Sequence, residues 1–377
     1  MNTRNVKFSP LIEYVIRGLR NCWLPDKGRW SHIYHLDGRV NPNESIPPSD
    51  VFYSLNVLLG LSRLGKNRFD LGYDLQDTFE TNVVAMCQLP VPKYAYGMAL
   101  WAGAELNLSL PNEPLLQIEK FINDRENWAR FRAQDLGMIL IGVIAQQSRE
   151  SSHWEALAHA LFGFLVQRFS CPSGLFYDEA FGLRRRWASF ATQTYLTLAC
   201  YSYAEAFCSD EALRLALACT SKMIALQGQN GEWPWFFDVP QARVVDFYEI
   251  YSVHQDGMAP AFLEHAERHG LPGAKDALCK GFFWIYGQNE MRKSMLMPQK
   301  SLIVRSHVRR GELHNKSKRV FRALRNTVFH SNDQLVGSDQ IELRLECRSY
   351  HLGWVIWSFA QRVDVPEITG HVALEHS

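Results

Sequence analysis

Residues 227–260 read QGQNGEWPWFFDVPQARVVDFYEIYSVHQDGMAP, and they decide how the rest of the chain is interpreted. The segment interrupts a helical pattern and brings tryptophan and tyrosine rings together with several carboxylates and one histidine, His254. Sugars present flat apolar faces edged by hydroxyl groups, so their sites combine aromatic platforms with hydrogen-bonding side chains. This composition therefore predicts the mouth of a helical barrel that holds a sugar-like ligand.

On both sides of this segment, apolar residues recur at helical spacing, and strand-like alternation is scarce. About a dozen helices, joined by loops of unequal length, suit six hairpins arranged as an inner and an outer ring. A departure from this pattern near residues 290–306 predicts a short β excursion. The predicted helices lie near residues 8–21, 49–64, 75–88, 93–106, 113–122, 134–147, 152–168, 187–207, 210–227, 254–268, 273–288, 314–329 and 349–361.

A weak internal repeat supports this arrangement. Residues 167–199 and 227–263 each run from a helix end through a glycine, an aromatic residue and an aspartate into another helix. A fainter copy occupies residues 27–40. Three such loops entering one side of a barrel would converge on a pocket. The aligned pairs are Gln167 with Gln227, Gly174 with Gly231, Phe176 with Trp233, and Asp178 with Asp238.

The spacing Gln227-x-x-x-Gly231-x-Trp233 resembles the glutamine–tryptophan repeat of the terpenoid cyclases. In such a loop the glutamine ties down adjoining helix ends, the tryptophan covers them, and the glycine permits a tight turn. The wider segment, including ECRSYHLGW at residues 346–354, is similar to α/α-toroid proteins of uncharacterised function from bacterial surface-polysaccharide gene clusters. That similarity covers roughly residues 170–360.

These resemblances imply an all-α chain, residues 1–377, that folds as a single α/α-toroid domain of the (α/α)6 type. The toroid is also the scaffold of six-hairpin glycosidases, many polysaccharide lyases and the N-acylglucosamine 2-epimerases. The fold by itself selects none of these reactions. The acidic motifs with which terpenoid cyclases protonate an alkene or bind magnesium diphosphate are missing from the sequence.

Four residues are candidates for catalysis. Asp238 and Asp246 could form the carboxylate pair that glycoside hydrolysis requires. If the run after Asp246 is the first turn of an inner helix, Tyr248, Tyr251 and His254 share one ridge that faces the lumen. A histidine beside a tyrosine and a carboxylate is a credible acid/base set. The alternative is a structural histidine that is hydrogen-bonded to a neighbouring loop.

Further side chains are candidates for substrate binding. An arginine before the helix at 187–207 could bind a uronate or a phosphate with two hydrogen bonds. The loop at residues 346–351 should meet residues 27–40 where the ring closes, so it either caps the closure or contacts ligand. The alternative for the aromatic and acidic residues is that they plug loops and cap helices. The candidates are Asp178, Arg186, Gln193, Glu232, Trp233, Trp235, Tyr251, Gln255, Glu346, Arg348 and His351.

Charge and spacing exclude several classes of partner. Lys+Arg 40 against Asp+Glu 39 leaves the chain nearly neutral, which argues against a nucleic-acid partner. The span 292–325 is locally basic, with eleven Lys or Arg and one acid. It is interpreted as a solvated face, or as a contact for an anionic glycan, a diphosphate carrier or a membrane surface. Metal-ligand spacings and glycine-rich phosphate loops are missing, so neither a metal nor a nucleotide cofactor is predicted.

The eight cysteines never approach CxxC spacing, and they predict reduced, mostly buried thiols. The N-terminus offers no signal-peptide pattern and no apolar run is long enough to span a bilayer, so a cytoplasmic protein is expected. The leading hypothesis is a lyase, epimerase or hydrolase that acts on a saccharide in surface-polysaccharide metabolism. The tyrosine, histidine and arginine content fits a lyase or epimerase slightly better than a hydrolase.

Two alternatives stay open. One is a non-catalytic glycan-binding or scaffold protein that uses the same mouth. The other is an isoprenoid-handling enzyme, which an aromatic lumen without deep carboxylates would favour, whereas a polar mouth rimmed by acids would favour sugar.

Overall fold

The computed structural model describes residues 8–66, 71–149, 153–312 and 316–374. Residues 1–7, on which part of the targeting expectation rests, and the predicted helix starts at 152 and 314 lie outside the described residues. The helices are α1 (Pro10–Cys22), α2 (Pro47–Ser62), α3 (Leu75–Gln88), α4 (Tyr94–Leu106), α5 (Asn112–Asn123), α6 (Ala133–Gln147), α7 (His153–Phe169), α8 (Phe190–Phe207), α9 (Asp210–Leu226), α10 (Ala259–Arg268), α11 (Ala274–Ile285), α12 (Lys316–Val328), α13 (Ser349–Phe359) and α14 (Pro366–Thr369).

The inner ring consists of α2, α4, α6, α8, α10 and α13, which contact one another in this order until α13 packs back on α2. The outer layer consists of α1, α3, α5, α7, α9 and α11. Inner helices such as α4 and α13 are apolar on every side, since they are covered by the core on one side and by outer helices on the other. The prediction of an (α/α)6-type toroid is confirmed, and α12 and α14 lie outside the six hairpins.

Glycines let the inner helices approach closely. A Cβ atom on Gly60 of α2 would lie 2.2 Å from the carbonyl oxygen of Gly353 in α13, at the seam that closes the ring. A Cβ on Gly97 of α4 would lie 2.3 Å from the Met138 backbone in α6. Glycine at these positions therefore lets the two helix backbones pack in direct contact.

Short strands join the loops at the ends of the helices. The β9–β10 hairpin confirms the excursion expected near residues 290–306. The other sheets were not predicted, because strands of two to four residues show too few positions for alternation to be visible. The strands are β1 (Trp23–Leu24), β2 (Arg29–Trp30), β3 (Ile33–His35), β4 (Asn43–Glu44), β5 (Trp187–Ser189), β6 (Phe236–Asp238), β7 (Arg243–Asp246), β8 (Ile250–Tyr251), β9 (Leu296–Met297), β10 (Leu302–Ile303), β11 (Ser306–Arg309), β12 (Ile341–Arg344) and β13 (Glu346–Cys347).

Three of these sheets matter for the site. They have the strand orders β5-β6-β7, β12-β11-β8 and β13-β3-β4. The pairing of β13 with β3 confirms that the C-terminal loop meets the N-terminal one, and the Ser349 hydroxyl donates to the Ser31 carbonyl over 2.8 Å at the same place. Among the described residues, no helix combines the length and the apolar content needed to cross a lipid bilayer.

Candidate functional site

A central cavity of about 180 Å³ lies at the end of the toroid where the inner helices begin. Five of the six inner helices contribute a residue from their first turns, for example Tyr53 of α2, Tyr195 of α8 and Tyr350 of α13, and the turn before α10 contributes His254 and Met258. Side chains near the N-termini of the inner helices therefore converge on this cavity. The lining residues are Phe52, Tyr53, Tyr94, Gln134, Ala191, Tyr195, Trp235, Tyr251, His254, Met258, Arg305 and Tyr350.

His254 occupies the wall of this cavity because a π-helical turn, residues 254–258, precedes α10. Such turns insert one residue into a helix and are frequent at functional sites. The imidazole lies between two rings: Phe190 at 4.3 Å between centroids and Trp235, nearly parallel, at 5.8 Å. Tyr251 completes the group at 5.1 Å from His254.

The electrostatics of the cavity keep His254 neutral. Burial, followed by the positive charges of Arg305 and His351, lowers the pKa of His254 well below its usual value. Its Nδ1 atom is buried and has no hydrogen-bond partner among the described residues. Burial raises the pKa values of the tyrosines Tyr94, Tyr195 and Tyr350 above the usual range, so these hydroxyls stay protonated.

Arg305 is the cationic group of the cavity. Its backbone is fixed on both sides, because its N–H donates to the Glu346 carbonyl and its own carbonyl accepts from Ser252, each over 2.8 Å. The guanidinium lies 5.0 Å from the Tyr251 ring centroid, and its Nε is 3.2 Å from Glu346 Oε1. Nevertheless, Nε and Nη1 are buried and form no hydrogen bond with the described residues. Unpartnered buried donors are costly, so this arrangement is typical of a site that awaits a ligand.

A second cluster, which we call the ionic layer, consists of four acids and four arginines. Its members are Asp246, Glu249, Glu312, Asp333, Arg309, Arg319, Arg322 and Arg344. Arg309 is its centre, with Nη1 2.7 Å from Asp246 Oδ1 and Nη2 2.5 Å from Asp333 Oδ2. Burial and the nearby Asp333 raise the pKa of Asp246 to about 6, against the opposing effect of Arg309.

Asp238 is also held in an ion pair. Arg186 Nε and Nη2 each donate to its carboxylate over 2.8 Å, and Arg243 Nη2 donates over 3.1 Å. Neither Asp238 nor Asp246 lines the central cavity. The structure therefore does not bring the suggested carboxylate pair into the lumen, and its catalytic role stays a prediction that we do not carry further.

The condition that the run after Asp246 is the first turn of an inner helix is not met. Residues 250–251 form β8, and helical structure starts only at residue 252. Tyr251 and His254 still line the cavity, whereas Tyr248 turns away and packs 4.4 Å beneath the Arg309 guanidinium. The hydrogen bonds of β8 with β11 produce this geometry, because Tyr251 is in register with Ser306.

The three repeated loops are held by the same kind of hydrogen bond. In each loop the N–H of a fully buried aromatic residue donates to a side chain of the next inner segment: Trp30 to Ser54 over 2.9 Å, Phe176 to Gln193 over 2.8 Å, and Trp233 to Gln255 over 3.1 Å. Trp233 therefore acts as a loop plug, which is the alternative given for the aromatic residues, whereas Gln193 and Gln255 hold the loops through their side-chain amides.

The Gln227 loop has the role that the resemblance implies. Gln227 Nε2 donates to the Gly231 carbonyl over 2.8 Å and to the Ala277 carbonyl of α11 over 3.0 Å. Gly231 has φ of 96°, and a Cβ there would lie 2.2 Å from the Lys280 carbonyl oxygen. Glu232 is fully buried beside it, and burial raises its pKa to about 7.

The remaining candidates surround the cavity without lining it. Glu346 accepts from Arg348 over 2.7 Å, and Arg348 also contacts His32. His351 is paired with Asp256 over 2.6 Å, and although burial opposes it, this carboxylate raises the pKa of His351 to about 9. Asp178 accepts a hydrogen bond from the Thr192 hydroxyl at the start of α8.

Of the fifteen residues suggested from the sequence, three line the cavity: Trp235, Tyr251 and His254. Sequence reasoning missed the tyrosines at the helix starts, because a tyrosine there is distinguishable only once the inner ring is known. It also missed Arg305, which lies in the basic stretch that was interpreted mainly as a solvated face. No group of three or more potential metal ligands occurs within the described ranges.

No protein-family model matches this sequence, and no curated protein is significantly similar to it. Solved structures are similar in fold. The cellobiose 2-epimerase of Bacillus thermoamylovorans has a TM-score of 0.63 at 10% identity, with 94% of this chain and 99% of that chain covered. The α-1,6-mannanase of Salegentibacter sp., solved with α-1,6-mannotriose, has a TM-score of 0.58 at 13% identity, with 93% and 97% covered.

The unsaturated glucuronyl hydrolase of Bacillus sp. GL1 is a third similar structure, with a TM-score of 0.56 at 11% identity and 96% of both chains covered. At identities this low, the structural similarity establishes the shared α/α toroid and nothing finer. The activities named for these structures are those of the solved proteins.

Proposed function

We propose that this protein is a carbohydrate-active enzyme of surface-polysaccharide metabolism that moves a proton on a saccharide, as a lyase or an epimerase does. The observation that carries the proposal is the content of the central cavity: five tyrosines, His254 and Arg305, with no acid among the described residues that line it. Ordinary glycoside hydrolysis needs two carboxylates, so this lining favours proton transfer over hydrolysis.

The residues suit a substrate with a carboxylate or carbonyl beside the reacting carbon. His254, held neutral, accepts the proton from that carbon, and the electron pair moves into the carboxylate or carbonyl. Arg305 stabilises the negative charge that develops there. In a lyase the bond from the adjacent carbon to its oxygen then breaks, and a protonated tyrosine gives that oxygen its proton. In an epimerase a tyrosine returns the proton to the opposite face of the same carbon.

The fold neighbours support a saccharide ligand, since one similar structure contains a bound mannotriose and another acts on glucuronyl groups by its name. We propose an anionic saccharide, because two buried donor atoms of Arg305 form no hydrogen bond with the described residues. A cytoplasmic location is also proposed, and the eight unpaired cysteines support it.

The replacement Arg305→Gln tests this function. We expect turnover to fall about 100-fold, as when one donor to a developing anion is removed, and the free energy of unfolding to change by less than about 1 kcal/mol. A panel of uronate-containing oligosaccharides is assayed for ultraviolet absorbance of an unsaturated product and, by NMR, for deuterium taken up from solvent. Arg310→Gln, at an exposed neighbour, is the matched control. Unchanged turnover in Arg305→Gln would contradict the proposal.

One observation favours the isoprenoid alternative: the residues that line the cavity are largely aromatic, and the described ones include no carboxylate. A hydrocarbon chain, however, would leave Arg305 Nη1 and His254 Nδ1 without a hydrogen bond, since neither atom has one among the described residues. A wild-type protein that binds a polyprenyl diphosphate but none of the oligosaccharides would establish that alternative. Saccharide binding by calorimetry without any turnover would instead establish a non-catalytic glycan-binding protein.

A further inference from the structure

Helix α12 has one anchored face and one uncovered face. On the anchored side, Asn326 Nδ2 donates to the Val245 carbonyl over 3.0 Å, and Trp187 Nε1 donates to the Thr327 hydroxyl over 2.9 Å. Arg319 and Arg322 turn inward toward the acids of the ionic layer. The helix is therefore fixed on β5 and β7, and its opposite face is exposed to solvent.

The uncovered face is apolar. Val320, Phe321, Leu324 and Val328 are 59%, 70%, 43% and 68% exposed, and Phe329 directly after the helix is 75% exposed. The four helical positions fall within an arc of about 100° on a helical wheel. We call these five residues the α12 apolar face. Other large apolar residues exposed in the described part of the chain, such as Val363, are not grouped in this way on one helix.

Positive charge flanks this face. Residues 316–328 contain five Lys or Arg and no acid. Lys318 and Arg325 are exposed along one edge, and Arg184 shares a groove with Val320 at the other edge. Leu183, 91% exposed, lies next to Arg184 in the chain. An exposed apolar stripe between cations is the pattern of helices that lie in the surface of an anionic lipid bilayer.

We propose that the α12 apolar face docks on an anionic membrane surface. A second copy of the chain is a poorer occupant, because an antiparallel two-fold contact through this face would bring the edge with Lys318 and Arg325 against the same edge of the other copy, with no acid from the helix between them. Docking also has a geometric consequence. Trp235 lines both the groove beside Val320 and the central cavity, so the cavity mouth lies next to the docked face.

Flotation of the full chain with lipid vesicles tests the proposal without substrate, so its outcome does not depend on the proposed activity. We expect binding to phosphatidylglycerol-containing vesicles, weakened by salt, and little binding to pure phosphatidylcholine. The double variant Phe321→Glu/Leu324→Glu should reduce the bound fraction at least about ten-fold. Val363→Glu, which adds the same charge at a residue that is 90% exposed elsewhere, should bind as wild type does.

A second variant separates charge from apolar contact. Lys318→Glu/Arg325→Glu keeps the apolar stripe and should remove the preference for anionic vesicles. The proposal is overturned if wild type binds neither vesicle, if it binds both equally and independently of salt, or if the Phe321→Glu/Leu324→Glu protein binds like wild type. It is also overturned if wild type is a dimer in solution that the same double variant dissociates.

Discussion

The central cavity and the ionic layer share a boundary, and each contains a buried arginine, but the two arginines differ in their hydrogen-bond partners. In the ionic layer, Arg309 has a carboxylate on each side, at 2.7 and 2.5 Å. In the cavity, two donor atoms of Arg305 and Nδ1 of His254 have no hydrogen-bond partner among the described residues. Tyr251 connects the two regions, because it lines the cavity while its hydroxyl donates to Glu249 over 3.0 Å.

This difference separates stability from function. Satisfied buried charges fix the loops of β7, β11 and β12 around the toroid end, whereas unsatisfied ones are retained where a ligand can complete them. Removing a charge should therefore be costly to folding in the ionic layer and costly mainly to activity in the cavity.

The largest expected effect is in the ionic layer. Arg309→Ala leaves Asp246 and Asp333 close together without their shared cation, so we expect a loss of about 3–5 kcal/mol in the free energy of unfolding. Urea denaturation followed by circular dichroism measures this loss. Arg310→Ala, at the exposed neighbour, should change stability by less than about 1 kcal/mol. Similar stabilities for the two variants would remove the distinction between the ionic layer and an ordinary surface.

A buried carboxylate without an arginine is an intermediate case. The pKa of Glu232 is raised by burial to about 7, so the folded protein holds a proton that the unfolded chain releases near pH 4.3. Stability should therefore fall as pH rises from about 4.3 through 7, by a total of about 3 kcal/mol. Glu232→Gln should remove this fall and be more stable than wild type above pH 7. Parallel stability–pH curves for the two proteins would contradict the assignment.

The helices were predictable from the sequence because each one repeats its apolar pattern over several turns. The predicted segment at 75–88 coincides with α3, and those at 93–106 and 134–147 differ from α4 and α6 by one residue. The glutamine–tryptophan loop was predictable too, since a local spacing specifies the Gln227 hydrogen bonds.

The candidate site was predicted only in part, because its members come from distant parts of the chain. Arg305 reaches the cavity through the pairing of β11 with β8, and two-residue strands leave no periodic signal. Asp246 was suggested as catalytic because glycoside hydrolysis requires a pair of carboxylates. The arginine that engages it is 63 residues away, so local sequence does not reveal the ion pair.

The smallest expected effect is at the residue that joins the two regions. Tyr251→Phe removes one hydrogen bond to Glu249, which still accepts from Ser306 over 2.6 Å and from Arg344 over 3.3 Å. We therefore expect a loss of only about 1 kcal/mol in the free energy of unfolding.

The same variant tests the role of the Tyr251 hydroxyl in turnover. If the hydroxyl serves only to orient Glu249, turnover should stay within about two-fold of wild type. If it is the proton donor of the cavity, turnover should fall about 100-fold or more at the same small cost in stability. Denaturation and turnover measured on one preparation decide between these roles. Tyr14→Phe is the control, since Tyr14 does not line the cavity and its hydroxyl donates to the Leu302 carbonyl over 2.8 Å. A loss of stability above about 3 kcal/mol in Tyr251→Phe would show that the cavity wall and the ionic layer are one cooperative unit rather than two regions with separate tasks.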